Sequence, residues 1–295
     1  MSSGGTLFGH RVQSAFPHRR LAPAPTVRGT LEIARGPQIS LDGCRVIHRD
    51  ESADAAFTIA RADDGALHVS CTAAGGFRLE PEALRIVADG ACEDPDVWEH
   101  RLVTVVVPLL LAERGEVALH AAALARGGRA VAFAGASTRG KSTLALAAAE
   151  AGMAVIADDA IVIARAEGGA LVWPGPTGLR VAPPGAQRKH TVATGMPPPQ
   201  RCPLAAVVVL GDRTAGAAEL TRLAPAQALP ALVPSLIFAG SDRLPAAMAD
   251  AAWLASTVPV LRCRLPDGIE RLADAIDNVL GRLLPEAPEF SPADA

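Results

Sequence analysis

The octet Gly135-Ala136-Ser137-Thr138-Arg139-Gly140-Lys141-Ser142 has the spacing G-x-x-x-x-G-K-[ST]. Glycines at both ends let the backbone turn successive N–H groups inward, a concave arrangement that binds phosphate oxygens. A helix beginning near Lys141 adds the partial positive charge of its N-terminus. Lys141 can reach β- and γ-phosphates, the Ser142 hydroxyl suits Mg2+, and Thr143 beside it is placed for the α-phosphate. Ser137 and Thr138 belong to the cradle, while Arg139 either leans on the phosphates or faces solvent. At a background glycine usage of about 7%, a chain of this size meets the pattern by chance roughly once in a hundred. The context sharpens it: "AVAFA" before the loop reads as a buried strand, and "STLALAAAEAG" after it as a helix closed by Gly152.

One helix later, "MAVIADDAIVI" gives an apolar strand ending in Asp158 and Asp159. Two adjacent carboxylates there are costly unless charge or hydrogen bonds stabilise them. A metal and a phosphate-side lysine would do so: one carboxylate holds the metal through water, and the other accepts the proton of an incoming hydroxyl. A polar turn between two strands is the plain alternative. If this strand runs parallel to the one before the loop, both ends fall on one sheet edge. His120, in "VALHAAAL", ends or interrupts a strand just ahead of the loop strand. It is either a core histidine bonded to backbone or a group that orients the base.

These residues need elements to hold them. Residues 1–26 carry Pro17, Pro23 and Pro25 without a clear period and read as a flexible lead. Residues 27–94 show short apolar runs between Gly- and Asp-rich breaks, the pattern of a small, mostly β module. Pro95 to Arg114 reads as a helix capped by Asp96, kinked or split at Pro108 and ended by Gly115. Beyond it, strands are expected at 117–124, 130–134, 153–157, 160–165, 170–174, 205–210 and 259–264. Helices are expected at 141–150, 225–233, 244–256 and 268–283. From Glu116 onward the alternation predicts an α/β domain with a substantially parallel sheet. A Pro-rich, basic insert at 183–203, with Arg188, Lys189 and His190, suits a lid or binding loop. Residues 285–295 read as a disordered tail.

Composition limits the partners. The 295 residues are 49% hydrophobic with a formal net charge of −3, which supports a sizeable core and argues against bulk electrostatic binding of nucleic acid. The five cysteines lie far apart without CxxC spacing, so neither a disulfide framework nor a zinc site is expected. No apolar leader segment is read at the N-terminus, and the apolar run 102–112 is short of the roughly 20 residues that span a bilayer. No membrane partner and a cytoplasmic setting are therefore expected.

The stretch "LHAAALARGGRAVAFAGASTRGKSTLALAAAEAGMAVIADDAIVI" resembles the catalytic core of the HPr kinase/phosphorylase family. It is most similar to the HPr-kinase-related proteins found beside peptide-modifying enzymes, lasso-peptide kinases included. The shared order is a Leu-His strand start, the loop strand, G-x-S-x-x-G-K-S-T-L, a helix ending in Gly and a strand ending in Asp-Asp. Weaker similarity extends over residues 95–284. The resemblance implies a P-loop kinase core of the HPr kinase/phosphoenolpyruvate carboxykinase-like type. It implies ATP and Mg2+, with transfer to a serine hydroxyl of a peptide or small protein. On the matching positions, Lys141 and Ser142 would hold phosphate and Mg2+, Asp158 would be the base with His120 supporting it, and Asp159 would lie near the metal. The two aspartates are interchangeable in these roles. Arg180, after a Pro-Gly segment, would contact phosphate or acceptor. The family's phosphorylases carry a glutamate in a glycine-rich signature, whereas "LVWPGPTGLRV" here has no acidic residue, which argues against phosphorolysis and against HPr as acceptor. Two other functions share the loop: a small-molecule hydroxyl kinase, for free serine for example, and a nucleotide-gated interaction protein without catalysis. Self-association is left open.

Overall fold

The computed structural model describes residues 5–23, 26–51, 56–92, 94–135, 140–181, 190–192 and 200–284. The chain opens with β1 (Thr6–Leu7), β2 (His10–Ser14), β3 (Gly29–Arg35), β4 (Arg45–Asp50), β5 (Phe57–Arg61), β6 (Leu67–Cys71), β7 (Gly75–Glu80) and β8 (Arg85–Ala88). They form one sheet in the order β1-β2-β3-β8-β7-β6-β5-β4. Next come α1 (Pro95–Arg101), a π-helical turn (Leu102–Val106) and α2 (Val107–Glu113). Asp94, not Asp96, caps α1 by accepting from the N–H groups of Asp96 and Val97, with Pro95 at the first helical position. Pro108 has no N–H to donate, and the π turn, in which Val107 N–H reaches back to the Leu102 carbonyl, lets the helical path continue through it.

The remainder contains β9 (Val117–Leu119), β10 (Ala121–Arg126), β11 (Arg129–Ala134), α3 (Lys141–Glu150), β12 (Ala154–Ala157), β13 (Ile161–Ala166) and β14 (Gly169–Val172). These are followed by β15 (Leu179–Val181), β16 (His190–Val192), β17 (Cys202–Leu210), β18 (Glu219–Arg222), α4 (Pro225–Leu232), α5 (Leu244–Thr257), β19 (Val260–Arg264) and α6 (Leu272–Leu283). Strands β15 and β16 pair with each other, and the others make a sheet in the order β12-β10-β11-β17-β14-β13-β9, with β19 also on β17 and β18 on β19. The sheet is mixed, which corrects the expectation of a substantially parallel one. Among the described residues of this sheet, β11–β17 and β17–β19 are the parallel pairs. A parallel partner needs a crossover of a dozen or more residues. Strands β10 and β11 are joined instead by the two-residue turn Gly127-Gly128, both at positive φ, with Arg126 opposite Arg129.

The layers follow from the apolar pattern. One core joins the N-terminal sheet to α1, α2 and the Ala118, Ala160 and Val162 face of β9–β13. A second lies between β9, β13 and the alanine face of β10 and β11 and extends to α4 and α5. A third packs Leu124, Val131 and Phe133 against α3 and the apolar face of α6.

The flexible lead expected over residues 1–26 is corrected over its described residues, 5–23 and 26. Residues 6–7 and 10–14 are strands of the first sheet, and Thr6 and Ala22 exchange backbone hydrogen bonds at 2.7 and 3.0 Å. The lead also grips the segment before β15. Phe8, 0% exposed, donates its N–H to the Pro174 carbonyl at 2.8 Å. Arg20 holds the carbonyls of Thr177 and Gly178 at 3.0 and 3.1 Å. Arg28 donates to the Phe8 carbonyl, lies over the Trp173 ring and pairs with Glu116 at 2.6 Å. Gly175 in turn donates to the Ile156 carbonyl of β12 at 3.0 Å, and a Cβ on it would come within 2.7 Å of the Ala157 Cβ. The sequence hides this because burial of isolated residues such as Phe8 leaves no periodic signature.

Phe8→Ala is expected to cost about 3–5 kcal/mol, read as a lower urea midpoint at unchanged denaturant slope, whereas a flexible lead would leave the midpoint alone. His10 in β2 supplies a pH test. Burial first, then the Arg28 and Arg114 cations, lower its pKa from 6.5 to about 4. The unfolded chain therefore binds this proton more readily, so the His10 contribution is complete above pH 6.5 and is lost as pH falls towards about 4. His10→Asn is expected to flatten the fall in urea midpoint across that window, an effect of up to about 3 kcal/mol.

Candidate functional site

Strand direction decides which loops meet. Strands β11 and β12 both run antiparallel to β10, so they are parallel to each other with β10 between them. Ala134 at the end of β11 faces Ala121, and Ala157 at the end of β12 faces Ala123. Gly135, Asp158 and His120 thus lie at one edge of the sheet, where β10 begins. Two strand spacings put the ends of β11 and β12 about 10 Å apart. Strand β17 is parallel to β11 on its other side, with Val209 opposite Ala134, so the loop after Leu210 opens on the same edge.

At this edge Gly135 and Gly140 bound the loop, with φ of 151° and 86°. Gly140, left-handed, is the N-cap of α3, and its carbonyl accepts from Leu144 N–H at 2.8 Å. The Lys141 side chain, 6% exposed as a residue, donates from Nζ to the Gly135 carbonyl at 2.7 Å, so the ammonium lies at the start of the loop. Ser142 and Thr143 occupy the first turn of α3, half-buried. Ser137, Thr138 and Arg139 lie outside the described residues, as do Arg188, Lys189 and the tail from 285.

Asp158 is 2% exposed. The chain then reverses sharply: Asp159 has φ of 66°, and Ala160 N–H donates to the Asp158 carbonyl at 2.8 Å, the hydrogen bond of a strained γ-turn. His120 locks this turn from across the sheet. Its Nδ1 lies 2.6 Å from the Asp159 carbonyl; a carbonyl only accepts, so Nδ1 is the donor. The His120 N–H itself donates to the Ser235 carbonyl at 2.6 Å. The expected single strand 117–124 is broken here into β9 and β10, which pair with different neighbours. Arg180 lies in β15, which packs on α3, with Leu179 buried against Ala122 and Ala145. The structure thus gathers Gly135, Gly140, Lys141, Ser142, Thr143, Asp158, Asp159 and His120 at one edge, and sets the backbone of Arg180 beside α3.

Sequence reasoning missed Arg213. A Cβ placed on Gly140 would meet its Nη2 at 2.4 Å, so the guanidinium lies directly against the N-cap of α3. The signal was readable only in part: "LAAVVVL" followed by Gly-Asp-Arg is a buried strand with a polar end, but its place beside the loop depends on the β11–β17 pairing.

The donor set suits a hard cation: the Ser142 hydroxyl and the aspartate carboxylates are the oxygen ligands Mg2+ takes, with water and phosphate completing its shell. Among the described residues no group of three His, Cys, Asp or Glu side chains gathers as a metal cage. No described helix is long and apolar enough to cross a membrane.

No family model matches the chain. No curated protein matches it. Among solved structures, it is similar to the HPr(Ser) kinase/phosphatase from Coxiella burnetii, at 13% identity over 56% of this chain and 96% of that one, with a TM-score of 0.35. A superposition this loose carries no argument about activity, and the site stands on its own geometry.

Gly152 also has a positive φ, 77°, with no atom within 4 Å of an added Cβ. Gly152→Ala therefore gives the conformational baseline, about 1–2 kcal/mol. Gly140→Ala is expected to lose more by urea denaturation, and combining it with Arg213→Ala to recover the difference. Equal losses without recovery would show that the guanidinium does not press on Gly140.

Proposed function

We propose that this edge transfers the γ-phosphoryl group of ATP to an alcohol, the serine hydroxyl of a peptide or small protein. The observation that carries the reading is the common edge reached by β11 and β12. In its support, the sequence read as a phosphate loop, with its lysine, shares this edge with a buried aspartate across one intervening strand. A phosphate loop alone serves many ends; a carboxylate beside it adds a proton acceptor.

In this reading the backbone N–H groups of the loop and the N-terminus of α3 bind the phosphates. Lys141 leaves the Gly135 carbonyl for the phosphate oxygens and neutralises their charge. Asp158 takes the proton of the acceptor hydroxyl. As that proton leaves, the acceptor oxygen bonds to the γ-phosphorus, the bond from phosphorus to the bridging oxygen breaks, and ADP departs with the electron pair. His120 holds the Asp158-Asp159 turn through the Asp159 carbonyl, and Ser142 with Asp159 would hold Mg2+. Bound there, the ion neutralises negative charge on the phosphates.

The test is incubation with labelled ATP and serine peptides, including those encoded beside the gene, against free serine, read by mass spectrometry as a gain of one phosphate. Lys141→Ala is expected to weaken ATP binding. Asp158→Asn is expected to retain ATP binding and lose turnover by about 100-fold or more. Transfer to free serine but to no peptide would move the reading to a small-molecule kinase. Unchanged function of Asp158→Asn in the absence of any transfer would leave a nucleotide-gated interaction protein.

A further inference from the structure

We infer that Arg213 clamps the leaving diphosphate of the nucleotide, on the flank of the phosphate loop opposite the aspartate pair. The inference rests on the phosphoryl-transfer reading of the same site and extends it to a residue that the loop motif does not contain.

Position comes first. In the order β12-β10-β11-β17, the loop leaves β11, Asp158 leaves β12 on one flank, and Arg213 follows β17 on the other. Phosphoryl transfer sets the attacking and leaving oxygens roughly in line. With the proton acceptor on the β12 side, the acceptor hydroxyl enters from there and the diphosphate leaves towards β17. The guanidinium is already there, against Gly140 at the N-cap of α3.

Charge supplies the second argument. Several arginines elsewhere on the fold meet carboxylates: Arg28 pairs with Glu116, Arg61 with Glu113 and Asp242, Arg165 with Asp250; Arg114 and Arg271 meet backbone carbonyls. Among the described residues no carboxylate pairs with Arg213, whose Nη1 donates to the Pro266 carbonyl at 3.3 Å. A cation held at the positive end of a helix, beside the loop that leads into Lys141, is unfavourable until an anion arrives. A phosphate oxygen pair matches the planar fork of a guanidinium.

The third argument is rigidity. The loop carrying Arg213 is fastened to the strand beside it: Gly211 N–H donates to the Cys263 carbonyl at 2.8 Å and Thr214 N–H to the Leu265 carbonyl at 2.9 Å. Arg264 caps the Arg213 carbonyl at 3.3 Å. The cation is therefore delivered by backbone that β17 and β19 hold in place.

The experiment titrates ADP, ATP and AMP by calorimetry into the parent, Arg213→Ala, Arg213→Lys and Lys141→Ala, with turnover and melting temperature measured on each. Arg213→Ala is expected to weaken ADP and ATP by about tenfold or more, to leave AMP within twofold, and to slow transfer by about 100-fold. Arg213→Lys restores the melting temperature and only part of the ADP affinity, because a point charge lacks the fork. Should Arg213→Ala not fold, Arg213→Gln carries the same comparison. Unchanged ADP affinity, an equal loss for AMP, or full recovery with lysine overturns the clamp. If Arg213→Ala binds ADP normally while Lys141→Ala does not, the clamp fails and the reading of the site survives. If the parent binds no nucleotide, both fall.

Discussion

The hydrogen bond from His120 Nδ1 to the Asp159 carbonyl ties together the two places where the chain leaves one part of the sheet for another. Strands β9 and β10 are consecutive in the chain, as are β12 and β13, yet each pair is split between opposite ends of the strand order. Both turns fall at the same edge. Each leaves backbone groups that a continuous strand would have paired, and buried backbone groups need partners. The Ser235 carbonyl takes the His120 N–H, the Ile237 N–H reaches the Ala118 carbonyl, and the imidazole takes the Asp159 carbonyl. The left-handed conformation of Asp159 costs energy in isolation and persists because these contacts hold it.

Close packing beneath the edge depends on small side chains. Alternate residues of β10 and β11 on the inner face are Ala121, Ala123, Ala125, Ala130, Ala132 and Ala134, packed with Ile161 and Ile163 of β13. Methyl groups let the two parts of the sheet approach closely. The opposite face, with Leu124, Val131 and Phe133, carries the bulk and seats α3 and α6. The helix that follows the loop is thereby fixed to the sheet that positions the aspartates.

The N-terminal sheet is a third support. Through Phe8, Arg20 and Arg28 it holds residues 173–178, and Gly175 passes that hold to β12 at Ile156, two residues before Asp158. A module that reads in sequence as an appendage therefore braces the strand that delivers the carboxylate. Glu99, buried in α1, accepts the N–H groups of Arg19 and Arg20 at 2.9 and 3.0 Å and fastens the same stretch to the central helix.

Much of this was legible in the sequence. The helices at 141–150 and 244–256 and most strands of the second sheet appear within a few residues of their expected bounds, because apolar periodicity and Gly or Pro breaks are local signals. The loop motif with its strand and helix was legible for the same reason: strand–loop–helix is read within one short segment. What the local pattern leaves open is which strands become neighbours and in which direction. The sheet is mixed rather than substantially parallel, with β10 turned back on β11 as a hairpin at Gly127-Gly128. Phe8 and Arg20 join a core because another segment lies across them. Arg213 reaches Gly140 because β17 pairs with β11. The sequence by itself determined the kinds of chemistry available and the elements that carry them. Only the tertiary structure decided which ends share an edge, because register and strand direction are set by long-range hydrogen bonds and burial that no single window contains.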